Sequence, residues 1–209
     1  YYSFNIPTTN LIDSNNLIKS KQFEKSNFDV KEIKKFFKNE NSYNPTYSVG
    51  IIGATGAVGQ EIINCLHNTQ FPVSELNLYT SKKSSNKIIT TPFGRHYTKE
   101  FNIEDAKECN FLFLAVSGDF SKKNAVELCE KGAFVIDNSS AFRYDENVPL
   151  VIPEINKHKI KGKRLIANPN CTTAIALMAL FPIFKLFGLT KVIMSTYQAA
   201  SGAGHKGII

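Results

Sequence analysis

From residue 48 onward, short continuous apolar runs alternate with longer stretches in which apolar residues recur at helical spacing. SVGII (48–52) is a β-branched apolar run, the pattern of a buried strand. It leads into GATGAVGQEIINCLHN, a glycine turn followed by Val58, Ile62, Ile63 and Leu66 at helical spacing. ELNLYT (75–80) predicts a second strand, FLFLAVS (111–117) a strongly buried one, and AFVIDNSS (133–140) a strand running into a polar loop. Between them, 84–103 carries weak strand signals among turn residues. DFSKKNAVELCEKG (119–132) predicts a helix with Asp119 as N-cap and Gly132 as its stop. RLIAN (164–168) predicts a further strand, and CTTAIALMALFPIFKLFG (171–188) a mostly helical segment closing on Gly188, with Pro182 kinking it or ending its first part. LTKVIMSTYQ (189–198) reads as a long strand.

Strands alternating with helices predict an α/β fold, a doubly wound parallel sheet of Rossmann type with helices on both faces. In such sheets ligands bind outside the carboxyl ends of the strands. The loops at those ends hold the unusual residues: GATGAVG, TSKKS, SGD, NSSAFR, NPNCTT and QAASGAG. That coincidence argues for one functional cleft. Residues 1–47 differ in character, rich in Asn, Ser and Lys and without glycine, with FDVKEIKKFFK (28–38) as a short amphipathic helix. They read as a leader, transit-peptide remnant or linker. A transit peptide is Arg-rich and poor in acids, whereas this stretch has no Arg and carries Asp13, Glu24, Asp29, Glu32 and Glu40.

Charge and cysteine content narrow the function classes. The formal net charge is +7, but the lysines are scattered and no run reaches the five or six like charges of a basic tail. Nucleic-acid binding needs a basic face, so a solvated surface with one or more phosphate sites is the simpler reading. No apolar run approaches a membrane span. Cys65, Cys109, Cys129 and Cys171 are far apart, which suits neither a zinc site nor a disulfide framework and points to a reducing compartment; the ambiguous 1–47 leader leaves cytoplasm and plastid both open.

GATGAVG places Gly53, Gly56 and Gly59 between a strand and a helix. The spacing is one residue wider at its start than the usual dinucleotide fingerprint, but the physics is shared: a tight turn, then backbone N–H groups of a helix N-terminus facing a pyrophosphate. TSKKS (80–84) has hydroxyls and two lysines and no acid. NAD enzymes use an acid here for the ribose 2′-OH, while a cation accommodates a 2′-phosphate, so the loop favours NADP. Arg143 could grip a phosphate or carboxylate with its planar fork, or serve in a surface ion pair. Cys171 stands after Asn-Pro-Asn at a helix start, near the positive end of the dipole, a setting that favours the reactive thiolate. Asn170 could donate an amide N–H to an oxyanion, and the small-residue loop after Gln198 could lie flat against a cofactor.

Taken in order, GATGAVG, the SSAFR…VPLVIPEIN block (139–156), NPNCTT and STYQAASGAG resemble aspartate-semialdehyde dehydrogenase, over about 47–209. The resemblance implies NADPH-dependent reductive dephosphorylation of L-4-aspartyl phosphate to L-aspartate 4-semialdehyde through a cysteine thioester, in the biosynthesis of lysine, threonine and methionine. It implies Cys171 as nucleophile, and Gly53, Thr55, Gly56, Ala57 and Val58 around the cofactor pyrophosphate. Lys83 and Ser84 would meet the 2′-phosphate where the family often has Arg-Ser; lysine keeps the charge and weakens bidentate binding. Arg143 would bind the substrate phosphate, Asn170 and Gln198 would orient the acyl group, and Ser201 and Gly202 would touch the cofactor. No metal is implied.

The same resemblance divides the chain into the 1–47 leader, an NADP-binding domain over 48–170, and the truncated start of an α+β catalytic and dimerisation domain over 171–209. The family's catalytic histidine and carboxylate-gripping arginine come later in the chain, so 1–209 alone should be inactive and poorly soluble. Partners would be the small-molecule substrate, phosphate and, for the full-length protein, further copies in a homodimer or homotetramer, with neither nucleic acid nor membrane. Two other readings stand beside this one: an N-acetylglutamyl-phosphate reductase-like enzyme, whose cysteine loop typically has glycine where Asn170 stands, and a non-catalytic NADP-binding module, which leaves NPNCTT without a purpose.

Overall fold

The computed structural model describes residues 46–200. Seven strands form one sheet in the order β3-β4-β2-β1-β5-β6-β7, with β1 at Tyr47–Ile52, β2 at Val73–Thr80, β3 at Ile88–Thr91, β4 at Gly94–Glu100, β5 at Phe111–Leu114, β6 at Phe134–Asp137 and β7 at Leu165–Ala167. Every pairing is parallel except that of β3 with β4. The weakly signalled stretch 84–103 therefore holds an antiparallel hairpin, β3 with β4, joined to a parallel sheet. It turns at Gly94, whose φ of 111° suits a residue without Cβ.

The helices are α1 (Ala57–Asn68), α2 (Ile103–Ala106), α3 (Gly118–Glu130), α4 (Pro153–Asn156) and α5 (Cys171–Phe187). Two apolar clusters account for the layers. Val49, Ile51, Leu76 and Leu78 pack with Ile63 and Leu66 of α1 on one face. Ile52, Leu112, Leu114 and Val135 pack with Ala106 of α2 and with Ala125 and Leu128 of α3 on the other. Successive residues of a strand point to opposite faces, so the continuous apolar run of β1 serves both layers. Each fully buried Leu or Ile stabilises by about 1.5–3 kcal/mol. The expected doubly wound α/β domain is present.

Several boundaries differ from expectation. Helix α3 is capped by Ser117, whose side chain accepts from the Phe120 N–H, and Asp119 sits in its first turn. Strand β5 stops at Leu114, so Ala115–Ser117 is loop and not strand, whereas β6 ends at Asp137 and runs into the polar loop expected after it. Helix α5 runs through Pro182. The largest correction concerns 189–198, which is irregular and almost wholly exposed rather than strand. Its apolar residues fit a strand, but no described strand offers it a ladder, and a strand exists only with a partner for its N–H and C=O groups. The predicted helix at 28–38 and the rest of the leader up to residue 45 lie outside the described residues.

Gly53 fixes the turn between β1 and α1. It has φ 90°, and a Cβ added there would overlap the Ala115 carbonyl oxygen. Replacing Gly53 by alanine is expected to destabilise the domain by about 2–4 kcal/mol, from the left-handed backbone and the overlap together. Urea unfolding would measure this.

Candidate functional site

β1 is the topological switch point. From it the chain first builds outward through β2 and β4, then returns to β5 on the other side. A crevice at the carboxyl ends follows from that reversal. Registers Ile52↔Tyr79, Ile52↔Leu114, Leu114↔Asp137 and Asp137↔Ala167 bring the loops after β1, β2, β5, β6 and β7 to one edge.

On one half of that edge lies the glycine turn. The Gly53 and Ala54 N–H groups donate to the Tyr79 carbonyl (2.9 and 3.2 Å), and Gly56 N–H donates to the Gly53 carbonyl (3.1 Å). Gly56 is the N-cap of α1 and supplies no side-chain cap. The helical ladder begins with Gln60 N–H to the Gly56 carbonyl, which leaves the N–H groups of Ala57, Val58 and Gly59 without helical acceptors. Thr55, Gly56, Ala57 and Val58 are all exposed, and a Cβ on Gly59 would overlap the Gly53 carbonyl oxygen. The arrangement is an open anion cradle with backbone donors and positive dipole.

Beside it, Lys82–Ser84 form a single 3-10 turn after β2, with Lys82 and Lys83 exposed and Ser84 half-buried. The turn is held from behind by buried Thr98, whose hydroxyl donates to the Ser84 carbonyl at 2.9 Å. No carboxylate lies within the turn.

The other half of the edge carries the loops after β6 and β7. Asp137 is fully buried; its carboxylate accepts from Ser121 Oγ (2.8 Å), Ser139 N–H (3.0 Å) and Ser139 Oγ (2.7 Å). This pins the NSSAFR loop to α3. Arg143, half-buried at the end of that loop, donates from Nε to the Asn168 carbonyl and from Nη2 to the Asn138 carbonyl, each at 3.0 Å. A guanidinium has five N–H groups, so three remain for an anion. A cleft of about 430 Å³ opens beside it, lined also by Tyr144, Asp145, Glu146, Lys159 and Lys163.

Three residues past Asn168 stands Cys171, the first residue of α5, and its side chain is exposed. Asn170 is the N-cap: its Oδ1 accepts from Thr172 N–H at 3.0 Å. That leaves its amide NH₂ as the group able to meet an oxyanion. Cys109 and Cys129 differ in kind, because burial pushes both thiols up, Cys129 to about 11. Iodoacetamide at neutral pH is therefore expected to modify Cys171 and the exposed Cys65 well before Cys109 and Cys129. Peptide mapping of a time course would check the order.

Gln198 lies exposed in the irregular segment after α5 and makes no hydrogen bond among the described residues. Ser201 and Gly202 lie outside the described residues. Asp137, Asn138 and Asn168 were missed as site-building residues, although a carboxylate closing an apolar strand in FVID was the available signal for the first. Among the described residues no three metal-ligating side chains cluster, and no helix is long and apolar enough to cross a membrane.

The family model "Semialdehyde dehydrogenase, NAD binding domain" matches residues 48–163. Among curated proteins, aspartate-semialdehyde dehydrogenase of Aquifex aeolicus is 45% identical over 167 residues, covering 78% of this chain and 49% of its own length. That of Bacillus subtilis is 44% identical over 163 residues, covering 77% and 46%. Among solved structures, aspartate semialdehyde dehydrogenase II from Vibrio cholerae superposes with a TM-score of 0.73 at 37% identity, covering 78% of this chain and 50% of that one; it is also known complexed with ASA. The Candida albicans enzyme, solved with NADP, superposes with a TM-score of 0.54 at 26% identity, covering 69% and 48%. The chain thus spans about half the length of the curated relatives it matches.

Proposed function

The chain belongs to the semialdehyde dehydrogenase family through its nicotinamide-dinucleotide-binding domain, and we propose from that premise that the protein is an NADP-dependent aspartate-semialdehyde dehydrogenase. The reaction is the reductive dephosphorylation of L-4-aspartyl phosphate to L-aspartate 4-semialdehyde, a step toward lysine, threonine and methionine. The observation that carries the reading is the one carboxyl edge of the sheet that bears the glycine turn after β1, Arg143 after β6 and Cys171 after β7, with Arg143 bonded to the carbonyl of Asn168, three residues before the thiol.

The residues of the first loop fit a dinucleotide: N–H groups without helical acceptors on Ala57, Val58 and Gly59, and glycines at 53 and 59 where a Cβ would collide with neighbouring backbone and spoil the tight turn that presents them. Gly53, Thr55, Gly56, Ala57 and Val58 would surround the pyrophosphate. Lys83 and Ser84 would receive the 2′-phosphate, and the absence of an acid in that turn supports NADP over NAD. Ser201 and Gly202 would complete the contact. Bound NADPH supplies a hydride. Replacing Lys83 by alanine is expected to raise KM for NADPH three- to tenfold and leave that for NADH within twofold, because an exposed charge pair contributes about 1 kcal/mol. Equal effects on both cofactors would sink the assignment.

Arg143 would hold the phosphate of the acyl phosphate with its three remaining N–H groups. The Cys171 thiolate attacks the acyl carbon, the C–O bond to phosphate breaks, and phosphate leaves with the electron pair, giving a thioester on Cys171. The Asn170 amide, with Gln198 brought in, would orient the acyl group and stabilise the oxyanion. Reduction of the thioester carbonyl yields a thiohemiacetal on Cys171, which collapses to aldehyde and thiolate. Division of one hard step into two is the purpose of covalent catalysis.

We assign 48–170 to the cofactor domain and α5 onward to a catalytic and dimerisation domain. None of the 17 residues of α5 is buried, although its sequence is strongly apolar, which supports its belonging to a second packing unit. The experiment supplies the full-length protein with aspartate semialdehyde and NADP⁺, with and without phosphate, and follows NADPH. Phosphate-dependent formation supports the reading; phosphate-independent formation, or none from folded NADP-binding protein, overturns it.

A further inference from the structure

We propose that the side chains of Asn138 and Asn168 form a latch that registers the Cys171 loop against the guanidinium of Arg143, making both asparagines positioning residues for acyl transfer. The inference rests on the dehydrogenase reading above and adds residues that the reading does not use. Asn138 follows β6, and Asn168 follows β7; they are adjacent because the two strands are parallel neighbours with Asp137 opposite Ala167.

The Asn168 side-chain amide donates to Asn138 Oδ1 at 2.8 Å. Asn138 is itself fixed to a third strand: its backbone N–H donates to the Leu114 carbonyl at 3.1 Å, and its side-chain NH₂ reaches the same oxygen at 3.4 Å. The backbone N–H of Asn168 donates to the Asp137 carbonyl at 2.8 Å, continuing the ladder one residue past β7. The backbone carbonyls of the same two asparagines then receive Arg143, from Nη2 on Asn138 and from Nε on Asn168. Each asparagine thus uses its side chain on its partner and its carbonyl on the arginine. The four groups close a ring that joins the proposed phosphate-gripping loop to the proposed nucleophile loop.

From Asn168 only the buried Pro169 and the helix cap Asn170 intervene before Cys171. Proline removes one backbone freedom, and the cap ties Asn170 to α5. Displacement of Asn168 is therefore transmitted to the thiol, while the immediate surroundings of the thiol at the helix start travel with it. A latch of this kind changes the distance between nucleophile and bound phosphate without changing the nucleophile. Misplacement of reacting groups by about 1 Å costs up to about a hundredfold in rate.

The test uses the full-length protein with Asn168→Ala, Asn138→Ala and Asn138→Asp. Both alanine variants are expected to lose about tenfold or more in kcat for the phosphate-dependent reaction. Their KM for NADP⁺ and the iodoacetamide rate of Cys171 should stay within about twofold, and Tm should fall little. Asn138→Asp keeps the acceptor for Asn168 and should recover most of the rate. In all three, amide hydrogen exchange is read over 167–173 and over 48–60; in the alanine variants it should quicken in the first segment only. Unchanged kcat in Asn168→Ala overturns the proposal. So does a loss of kcat matched by loss of thiol reactivity and of thermal stability, which would mean a general structural role. If the unsubstituted protein lacks phosphate-dependent turnover, the dehydrogenase reading fails instead, and hydrogen exchange alone decides whether the latch exists: quickening over 167–173 upholds it, and no change overturns it.

Discussion

Replacing Cys171 by serine in the full-length protein is expected to abolish phosphate-dependent NADPH formation, by on the order of a thousandfold or more. Attack on the acyl carbon needs a good nucleophile at neutral pH, and a serine hydroxyl remains protonated there unless a strong base stands beside it. Reduction is affected as well, since an oxygen ester accepts hydride less readily than a thioester. The substitution should not disturb folding. Cys171 is exposed at the first position of α5, packs into no core cluster, and serine is well tolerated at helix starts. Steady-state rates with thermal melts alongside would separate the two effects. Serine enzyme retaining a tenth of the wild-type rate would remove the thioester from the mechanism.

Arg143→Ala should raise KM for phosphate about a hundredfold. Three N–H groups of the guanidinium are available to an anion, and charged hydrogen bonds contribute about 1.5–3 kcal/mol each. Arg143→Lys should fall between, because an ammonium keeps the charge but cannot reach two carbonyls and an oxyanion in one plane. The variants are compared by varying phosphate at saturating NADP⁺ and aspartate semialdehyde. A KM for phosphate within twofold of wild type in Arg143→Ala would leave the arginine with its backbone bonds alone, a structural clamp between Asn138 and Asn168.

Much of this architecture was legible in the residues. β1, α1 and the glycine turn follow from a β-branched run, from helical spacing and from Gly53, the residue whose φ of 90° demands glycine. Those are local properties, set by a residue and its near neighbours. Cys171 could be singled out for the same reason, since Asn170 and the apolar run behind it mark a helix start that the structure bears out. The short end of β5 was less legible, because a strand stops where its neighbours stop offering partners, and neighbours are not encoded in the run itself.

The stretch 189–198 shows the limit most clearly. Val192, Ile193, Met194 and Tyr197 have strand composition, yet all are exposed and irregular among the described residues. Composition states a preference, and pairing realises it. The site divides along the same line. Glycines, lysines, an arginine and a cysteine in successive loops were enough to nominate the chemistry, because each side chain carries its reactivity wherever it goes. That Asp137 anchors Ser121 and Ser139, that Asn138 meets Asn168 across two strand ends, and that Arg143 ties both loops together came only from the tertiary structure. Those contacts join residues up to thirty positions apart. They exist because parallel strand pairing, decided by the whole sheet, sets Asp137 opposite Ala167.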